Sequence, residues 1–431
     1  MNVANEKMVH DLLKPIGYGK GFLIWMSFLT VALIACLYAY TIQLKVGLGV
    51  TGLRDYVSWG IYIANFVFFV ATSLIGMLIS AVLGLTQIKW ASPLARIAEI
   101  ISLAFAAVAG LVIISDMGRP DRFTYLFLYG RIQSPIIWDV TVVTTYVVIS
   151  TLLLYLPMIP DIALCRDRLT HVPKWQRKLY EILAVNWQNN EQQQRIIRQG
   201  VKTLLILIIP VALAIHTVTS WLFAVTHRPG WDSTIFGPYF VTGAFVSGTA
   251  AVIIAMYVFR KIYHLEQYIT FDLFDKVGKL LVLVSLVYLY FNINEYLVPV
   301  YKMKHADAAH LHELFQGRFA ILYWSVQLGG LLVPIILLLF KPMRKPLPLF
   351  VVAIFVIIGA WFKRYLIVIP TMQHPFLPIQ NVPIEYQIYK PTLIEVAITI
   401  APIILVLMII TILSKTFPVL PVQEVESHED N

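Results

Sequence analysis

The chain has 431 residues, of which 59% are hydrophobic and 13% are charged, and its mean hydropathy is +0.76. This composition excludes an ordinary soluble protein and predicts an integral membrane protein. The formal net charge of +9 follows from basic residues in the loops at one membrane surface, so it requires no nucleic-acid partner.

Ten apolar runs are long enough to cross about 30 Å of hydrocarbon as α-helices. They are uninterrupted, whereas the strands of a membrane β-barrel would show short segments of alternating hydrophobicity. The sequence therefore predicts an all-α integral membrane protein with about ten transmembrane helices. The predicted spans cover residues 21–46, 56–86, 94–116, 136–159, 202–226, 236–259, 277–300, 317–340, 346–368 and 393–414.

The first span follows polar residues that extend through Lys20, and it is too long for the apolar region of a cleavable signal peptide. We therefore expect it to remain in the mature protein. An even number of spans puts both termini on one side of the membrane. That side carries most of the Lys and Arg residues, so both termini are predicted to be cytoplasmic and the protein to lie in the cytoplasmic (inner) membrane.

The second span begins a pattern that returns in the sixth. Residues 55–62 align with residues 232–239, and the same offset carries the second span onto the sixth. This indicates two parallel four-helix bundles, with the first and tenth helices as additions. The predicted divisions are residues 1–50 (cytoplasmic N-terminus and first helix), 51–226 (first bundle, with a cytoplasmic loop at 161–201), 227–370 (second bundle) and 371–431 (outer loop, tenth helix and acidic cytoplasmic tail).

The third span ends in Asp116-Met117-Gly118-Arg119-Pro120, which places a carboxylate and a guanidinium at the membrane surface. A carboxylate at the end of a membrane helix costs free energy unless it has a partner, so Asp116 and Arg119 are predicted to form a functional pair. The alternative is an interfacial salt bridge that merely ends the helix before Pro120.

Polar and aromatic residues gather where the neighbouring spans reach the same surface. Such residues suit a polar ligand head that approaches from the membrane edge. They are Tyr56 and Trp59 at the start of the second span, Tyr125 after the third, Asp139 at the start of the fourth, and His216 and Trp221 in the outer half of the fifth.

Each of these positions also has a structural explanation. Trp59 is of the type that anchors helices to lipid headgroups. Asp139 could cap its helix, and His216 could bond to a neighbouring helix. Tyr125 could belong to an ordinary loop or contact a partner subunit.

Metal and haem sites within the chain are not favoured. Cys36 lies in the first span and Cys165 in a predicted cytoplasmic loop, so the two cannot form a disulfide or hold an iron-sulfur cluster. No second histidine lies deep in another span to ligate haem with His216. The histidines of the predicted outer loop 305–313 lack a rigid scaffold for a metal ion.

These motifs resemble the NrfD and polysulfide-reductase membrane-subunit family. The Asp-x-Gly-Arg-Pro sequence at 116–120 follows a Trp-Gly-x-Tyr start of the second helix at 59–62, as in that family. Residues 294–297 and the loop 228–234 resemble its ten-helix members, which include membrane subunits of alternative complex III, of quinone reductase complexes and of sulfate-reducer transmembrane complexes. The resemblance covers roughly residues 50–370 and implies two parallel four-helix bundles.

The resemblance implies a quinone-binding membrane subunit of a multisubunit respiratory oxidoreductase, with menaquinone or another quinone as its ligand and no haem or iron-sulfur cluster of its own. It would dock beneath a periplasmic, ferredoxin-like iron-sulfur subunit, with further subunits such as a multihaem cytochrome or a molybdopterin protein. Asp116 and His216 are the expected catalytic groups, and Arg119 would organise the site. The expected quinone-binding residues are Tyr56, Trp59, Asp116, Arg119, Tyr125, Asp139, His216 and Trp221.

Carboxylates at several depths raise the question of proton transport. Glu99 lies about two turns into the third helix, where an unpaired charge would be expensive. Glu99, Asp139, Glu295 and Arg364 form a candidate proton path. Ordinary ion pairing near the interface, such as Glu99 with Arg96, is the competing explanation.

Two other classes of function fit parts of the pattern. A secondary transporter would also show internal repeats, helix-breaking prolines such as Pro210 and Pro334, and buried carboxylates. It should bind its substrate near the midplane, however, whereas the polar residues here gather at the outer ends of helices. A purely structural membrane anchor would leave Asp116 and His216 without a ligand.

Overall fold

The computed structural model describes residues 3–55, 57–86, 92–169, 172–374 and 382–422. Within these ranges the regular structure is entirely helical, and ten helical segments are long and apolar enough to cross a membrane. The predicted all-α membrane protein with ten spans is therefore confirmed. Tyr56, one of the expected quinone-binding residues, and the predicted acidic cytoplasmic tail lie outside the described residues.

Ten helical segments of the described residues form the spans, and shorter helices lie before the first span and between some of the others. The spans are α2, α3, α4, α6, α8, α9, α10, the α12–α13 segment, α14 and α16. The bounds are α1 Val3–Leu13, α2 Lys20–Val46, α3 Ile61–Thr86, α4 Ser92–Asp116, α5 Tyr125–Tyr129, α6 Pro135–Arg168, α7 Lys174–Leu183, α8 Glu191–Ala224, α9 Phe236–Ile262, α10 Phe271–Lys302, α11 His305–Phe315, α12 Ala320–Trp324, α13 Val333–Leu339, α14 Pro346–Met372, α15 Ile384–Gln387 and α16 Leu393–Thr416.

The spans end at two opposite surfaces of the molecule. We call the surface at which α4 ends, at Asp116, the Asp116 side. The described ends of the chain meet on the opposite, termini side, where the Gly17 amide donates to the Lys415 carbonyl at 3.1 Å and the Lys415 ammonium donates to the Pro15 carbonyl at 2.9 Å. Both described ends therefore lie together, as an even number of spans requires.

The predicted loop 161–201 is mostly helical. α6 continues to Arg168, and α8 already begins at Glu191, where the Asn190 side chain accepts from the Gln193 amide at 2.8 Å. Hydropathy marks only the part of a helix that crosses lipid, whereas caps decide where the helix ends. Between them α7 is amphipathic, and its buried Tyr180 hydroxyl donates to the Thr416 carbonyl at 2.6 Å.

The eighth span is not a regular α-helix. Residues Ser325–Leu332 form a π-helix between α12 and α13. In this segment the backbone at Gly330 lies directly against Gly359 of α14. A Cβ atom added at Gly330 would be only 2.8 Å from the Gly359 Cα atom. π-helical turns are rare and are frequent at functional sites.

α3 and α9 occupy the centre of the molecule, and most of their side chains are buried. α3 packs against α4, α8, α9, α14 and α16, and α9 packs also against α10 and α14. α6 contacts α4 and α8, while α2 contacts α16. The division into two parallel four-helix bundles stays a prediction.

Glycines allow the central helices to approach closely. A Cβ atom at Gly76 of α3 would lie 2.0 Å from the Ala98 carbonyl oxygen of α4, and one at Gly248 of α9 would lie 2.1 Å from the Ile75 side chain. Small residues serve the same purpose in other membrane-helix interfaces, where packing replaces the hydrophobic effect as the driving force.

Hydrogen bonds through Glu395 connect the start of α16 with the start of α3. The Glu395 side chain is fully buried. Its carboxylate accepts from the Gly52 amide at 2.7 Å and from the Tyr389 hydroxyl at 2.8 Å. The Tyr389 oxygen in turn accepts from the Ile61 amide at 3.0 Å. Burial and the adjacent carboxylate raise the pKa of the Tyr389 hydroxyl. Glu395 also completes a capping box with Thr392.

We predict that Gly76→Ala destabilises the protein by about 1–3 kcal/mol, because the new methyl group must push α4 away from α3. The measurement is the thermal unfolding of the purified protein in detergent. Gly110→Ala in α4 is the matched control, since a Cβ atom there meets nothing within 4 Å. Equal effects of the two changes would contradict the close α3–α4 contact.

Candidate functional site

Asp116 is the last residue of α4, and it lies on a network that joins α2, α3 and α4. The Gln43 side chain donates to the Ser115 carbonyl at 2.7 Å and accepts from the Tyr62 hydroxyl at 2.7 Å. Asp116 itself is partly buried, and its Oδ1 atom is buried without a hydrogen-bond partner among the described residues. Since buried polar atoms are almost always hydrogen-bonded, this oxygen can accept a ligand's proton donor.

The predicted pair of Asp116 with Arg119 is wrong. Arg119 lies beyond the end of α4 and is exposed, and it forms a two-bond ion pair with Asp121 at 2.9 and 3.0 Å. This hydrogen bonding lowers the pKa of Asp121. The turn before Pro120 directs the guanidinium outward along the surface, so Arg119 reaches the carboxylate two residues later.

Asp139 does not cap its helix, because α6 begins at Pro135 and places Asp139 in the second turn. Its side chain is buried and accepts from the Thr219 hydroxyl of α8 at 2.5 Å. His216, one turn earlier on α8, is also buried, and its Nε2 atom has no hydrogen-bond partner among the described residues. Asp139 and His216 therefore lie on facing helices, α6 and α8.

Asp116 and His216 stand on α4 and α8, which both pack against α3. No hydrogen bond joins the two side chains among the described residues. The structure thus brings Asp139 and Thr219 together beside His216, but it does not bring Asp116 into the same hydrogen-bonded group.

The aromatic candidates divide into a buried group and an exposed group. Trp59 is partly buried and packs against Phe223 and Trp231, each with ring centroids 5.7 Å away. This packing replaces the lipid-anchor explanation of Trp59. Trp221 is 41% exposed and makes an edge contact with exposed Trp138, and exposed Tyr125 belongs to the short helix α5.

A large apolar slot runs along the tenth span, α16. It has a volume of about 870 Å³ and is lined by α3, α4, α9, α14 and α16 and by residues in and just before α12. Along α16 it extends from Val396 to Ile410, a rise of about 21 Å. At the Asp116 side it reaches Ile61 and Tyr365, next to the hydrogen bonds that connect Glu395 and Tyr389 with α3. Its size and lining suit a long hydrocarbon chain.

Polar side chains lie between Glu99 and Asp139 within residues 51–226, which we call the first half of the molecule; residues 227–370 are its second half. Glu99 is buried and accepts from the Ser80 hydroxyl of α3. One turn further along α4, Ser102 donates to the Ser73 carbonyl, which also accepts from the Tyr146 hydroxyl of α6 at 2.6 Å. Tyr146 lies two turns, about 10 Å, from Asp139 on the same helix. Buried Arg96 forms its ion pair with Asp161 of α6.

The other two residues of the predicted proton path lie in the second half. Glu295 is buried and accepts from the Ser233 hydroxyl at 2.8 Å. Arg364 is buried beside Lys363. Lys363 donates to the Tyr296 hydroxyl at 2.6 Å, and its ammonium lies 4.7–5.8 Å from the ring centres of Tyr296, Tyr323 and Tyr239. Aromatic faces of this kind stabilise a buried cation.

The predicted histidine loop 305–313 is wrong, because these residues lie in the helix α11. His310 is buried against the loop at Gly230, whose φ of +83° and contact with the imidazole exclude a side chain. Its ring centre is 5.8 Å from that of His374. Burial, together with His374 and Lys363, lowers the pKa of His310 to about 3. No metal-binding group of three His, Cys, Asp or Glu residues occurs in the described ranges.

We predict that His310 makes the protein less stable in acid. The folded protein keeps His310 neutral down to about pH 3, whereas the unfolded chain takes up the proton below about pH 6.5, so stability falls as the pH falls through this window. Between pH 7 and pH 5 the loss is about 2 kcal/mol. Thermal unfolding of His310→Gln should show a smaller loss over this range than the native protein, and exposed His312→Gln should not. An unchanged pH dependence in His310→Gln would contradict the buried neutral histidine.

Sequence reasoning missed several buried polar groups. Glu395 had a detectable signal, since Thr392-x-x-Glu395 before an apolar run is a capping-box pattern. The hydroxyls of Ser73, Ser102 and Tyr146 had no such signal, because isolated polar residues in an apolar span do not reveal which neighbouring helix they face.

Comparisons with known proteins point to one family. The family model described as "Polysulphide reductase, NrfD" matches residues 49–375, which contain the second to ninth spans. The chain is 28% identical over 361 residues to a Halobacterium salinarum protein named provisionally as a membrane subunit of dimethyl sulfoxide reductase, covering 80% of this chain and 75% of that protein.

Two further relatives are similar over nearly their whole length. One is a subunit of the selenate reductase of Mesobacillus selenatarsenatis, which is 25% identical, with 94% of this chain and 95% of that protein covered. The integral membrane subunit of menaquinone reductase from Nitratidesulfovibrio vulgaris is 22% identical, with 94% of this chain and 93% of that protein covered.

Proposed function

Because the chain belongs to the NrfD polysulphide reductase family, we propose that it is the quinone-reactive membrane subunit of a multisubunit respiratory oxidoreductase. The family match confirms the resemblance seen in the motifs. The names of two relatives, a menaquinone reductase membrane subunit and a selenate reductase subunit, support a quinone-linked reductase complex. Menaquinone is the proposed ligand.

The observation that carries the proposal is the Oδ1 atom of Asp116, which is buried at the end of α4 without a hydrogen-bond partner among the described residues. Asp116 begins the Asp-x-Gly-Arg-Pro turn, the motif that resembles the family. A carboxylate there can accept a hydrogen bond from a quinol hydroxyl and then its proton, which is the task of a general base. Since the oxygen has no hydrogen-bond partner in the described part of the chain, ligand binding would not break a bond within those residues.

The Nε2 atom of His216 on α8 is a second buried polar atom that has no hydrogen-bond partner in the ranges that the structure describes. We propose that it serves as a hydrogen-bond partner for a ligand oxygen, while the Asp139–Thr219 bond holds the facing parts of α6 and α8 together. A quinone supplies two-electron redox chemistry when it is bound. The chain's own residues bind the ring and exchange protons with it at Asp116 and His216.

The apolar slot supports the same proposal. An isoprenoid tail needs a long hydrocarbon groove that is continuous with the membrane interior, and the slot offers about 870 Å³ with an almost wholly apolar lining. Its end at Ile61 and Tyr365 lies on the Asp116 side. We propose that the tail lies along α16 while the ring is held on that side.

The partner subunit is proposed to dock on the Asp116 side, which would be the periplasmic side with both termini in the cytoplasm. There the exposed Arg119–Asp121 pair and Tyr125 offer polar and aromatic contacts to an iron-sulfur protein. Electrons would pass between that protein and the quinone, since the chain itself contributes no redox centre to this proposal.

We predict that Asp116→Asn and His216→Ala each weaken the binding of a quinone analogue by about 10-fold or more. Asp116→Asn removes a hydrogen bond to a charged acceptor, which contributes about 1.5–3 kcal/mol. His216→Ala leaves a buried ligand oxygen without its partner, which costs about 1–3 kcal/mol. The measurement is a binding titration on the purified, assembled complex.

Asp121→Asn is the matched control, because it changes an exposed carboxylate of the same surface that already has a partner. It should leave quinone-analogue binding unchanged. Native affinity in both Asp116→Asn and His216→Ala would move the site elsewhere. No binding by the native complex would favour a structural anchor or a transporter.

We also propose that electron transfer is coupled to proton movement through the first half of the molecule. The polar residues between Glu99 and Asp139 lead from the termini side toward His216. Hydroxyl groups in such a series can pass protons when water completes the gaps. This route uses two of the predicted path residues and does not require Glu295 or Arg364.

We predict that Glu99→Gln lowers proton uptake from the termini side by about 10-fold or more, because the amide cannot accept and release a proton. Quinone-analogue binding should remain native, since Glu99 is far along α4 from Asp116. The measurement is proton translocation by the complex in liposomes during quinol turnover. Exposed Glu181→Gln in α7 is the control. Full translocation in Glu99→Gln would rule out this route.

A further inference from the structure

A small cavity lies in the second half of the molecule, where the π-helical segment of the eighth span faces α9, α10 and α14. It has a volume of about 20 Å³. A cavity of this size holds one water molecule or one monatomic ion but no larger ligand. Gln327 of the π-helix and Arg364 of α14 both line it.

A series of hydrogen bonds fixes the orientation of the Gln327 amide. The Tyr288 hydroxyl donates to the Tyr239 hydroxyl at 3.3 Å, and the Tyr239 hydroxyl donates to Asn292 Oδ1 at 3.0 Å. Asn292 Nδ2 must then be the donor to Gln327 Oε1, at 2.8 Å. This leaves the Gln327 amide nitrogen as a buried donor beside the Tyr323 hydroxyl, with no hydrogen bond of ordinary length and angle among the described residues.

Arg364 brings a second buried donor and a positive charge. Its side chain is 3% exposed, and within the described residues it forms no ion pair and its Nη1 atom has no hydrogen-bond partner. Its guanidinium lies 4.8 Å from the ring centre of Phe240. Lys363, the preceding residue, is a further buried cation, and its ammonium already donates to Tyr296.

The lining of the cavity has the chemistry of an anion site. Its described lining consists of Arg364, Lys363, Gln327, Tyr288, aliphatic residues and glycines, and includes no aspartate or glutamate. A water molecule could accept from both free donors, but it would leave the guanidinium charge uncompensated in a medium of low dielectric. An anion satisfies both donors and compensates the charge.

We propose that this cavity binds one small monovalent anion, chloride in the cell, between the Arg364 guanidinium and the Gln327 amide nitrogen. The anion would join the π-helical segment to α14 next to the close contact of Gly330 with Gly359. Arg364 is close enough to His216 for their charges to interact, but the existence of the anion site does not depend on quinone binding.

The test is thermal unfolding of the purified complex in potassium chloride, bromide or gluconate at equal ionic strength. Chloride and bromide should raise the midpoint by about 2–4 °C over gluconate in a saturable manner, because a ligand that binds only the folded state stabilises it. Gluconate is too large for the cavity. Bromide should also produce an anomalous scattering peak beside Arg364 in crystals of the complex.

Three variants separate the anion from general salt effects. Gln327→Leu and Arg364→Gln should lose the halide effect, since each removes one of the two donors. Gln327→Glu places a carboxylate in the cavity, so it should be as stable in gluconate as the native complex is in chloride and should gain nothing from halide. Arg318→Gln, which changes an exposed arginine bonded to Gln373, should keep the native halide effect.

A native complex that unfolds at the same temperature in chloride and gluconate, with no bromide peak at Arg364, would overturn the proposal and assign the cavity to water. A halide effect that persists in Gln327→Glu would also overturn it, because the anion would then bind elsewhere. If Arg364→Gln does not assemble, the Gln327→Glu result decides the matter alone.

Discussion

The structure depends on one constraint, which is that a polar group placed among membrane helices must find a partner on another helix or segment. Arg96 of α4 meets this constraint through Asp161 of α6, and Asp139 of α6 meets it through Thr219 of α8. Glu395 meets it through Gly52 and Tyr389. Each bond ties together helices that hydrophobic packing alone would not align, since lipid is as apolar as the side chains.

The buried polar atoms that do not meet this constraint are informative, because they indicate where a ligand could bind. Buried donors and acceptors without partners among the described residues include Asp116 Oδ1, His216 Nε2 and Arg364 Nη1. Each lies in the half of its span nearer the Asp116 side. An oxygen acceptor on α4 suits a ligand that donates protons, whereas a guanidinium beside a free amide suits an anion. The same physical argument thus assigns different ligands to the two halves of the chain.

The sequence predicted what hydropathy controls, and it failed where side-chain direction matters. All ten spans were found, because apolar length is sufficient for that assignment. Arg119 was paired with the wrong carboxylate, since the geometry of the turn decides between Asp116 and Asp121. Residues 305–313 were taken for a loop, because the contacts that bury His310 come from distant residues such as Gly230 and His374. Contacts between distant segments leave no local pattern in one sequence.

The two halves of the molecule are in contact at Trp231, between the regions of the proposed quinone site and the proposed anion site. Trp231 packs against Trp59 and Phe223 of the first half, while its indole nitrogen donates to the Ile367 carbonyl of α14 at 2.7 Å. Ile367 lies one turn from Arg364 on the same helix. Trp231 therefore connects α8, which carries His216, with α14, which carries Arg364, by one packed and hydrogen-bonded side chain.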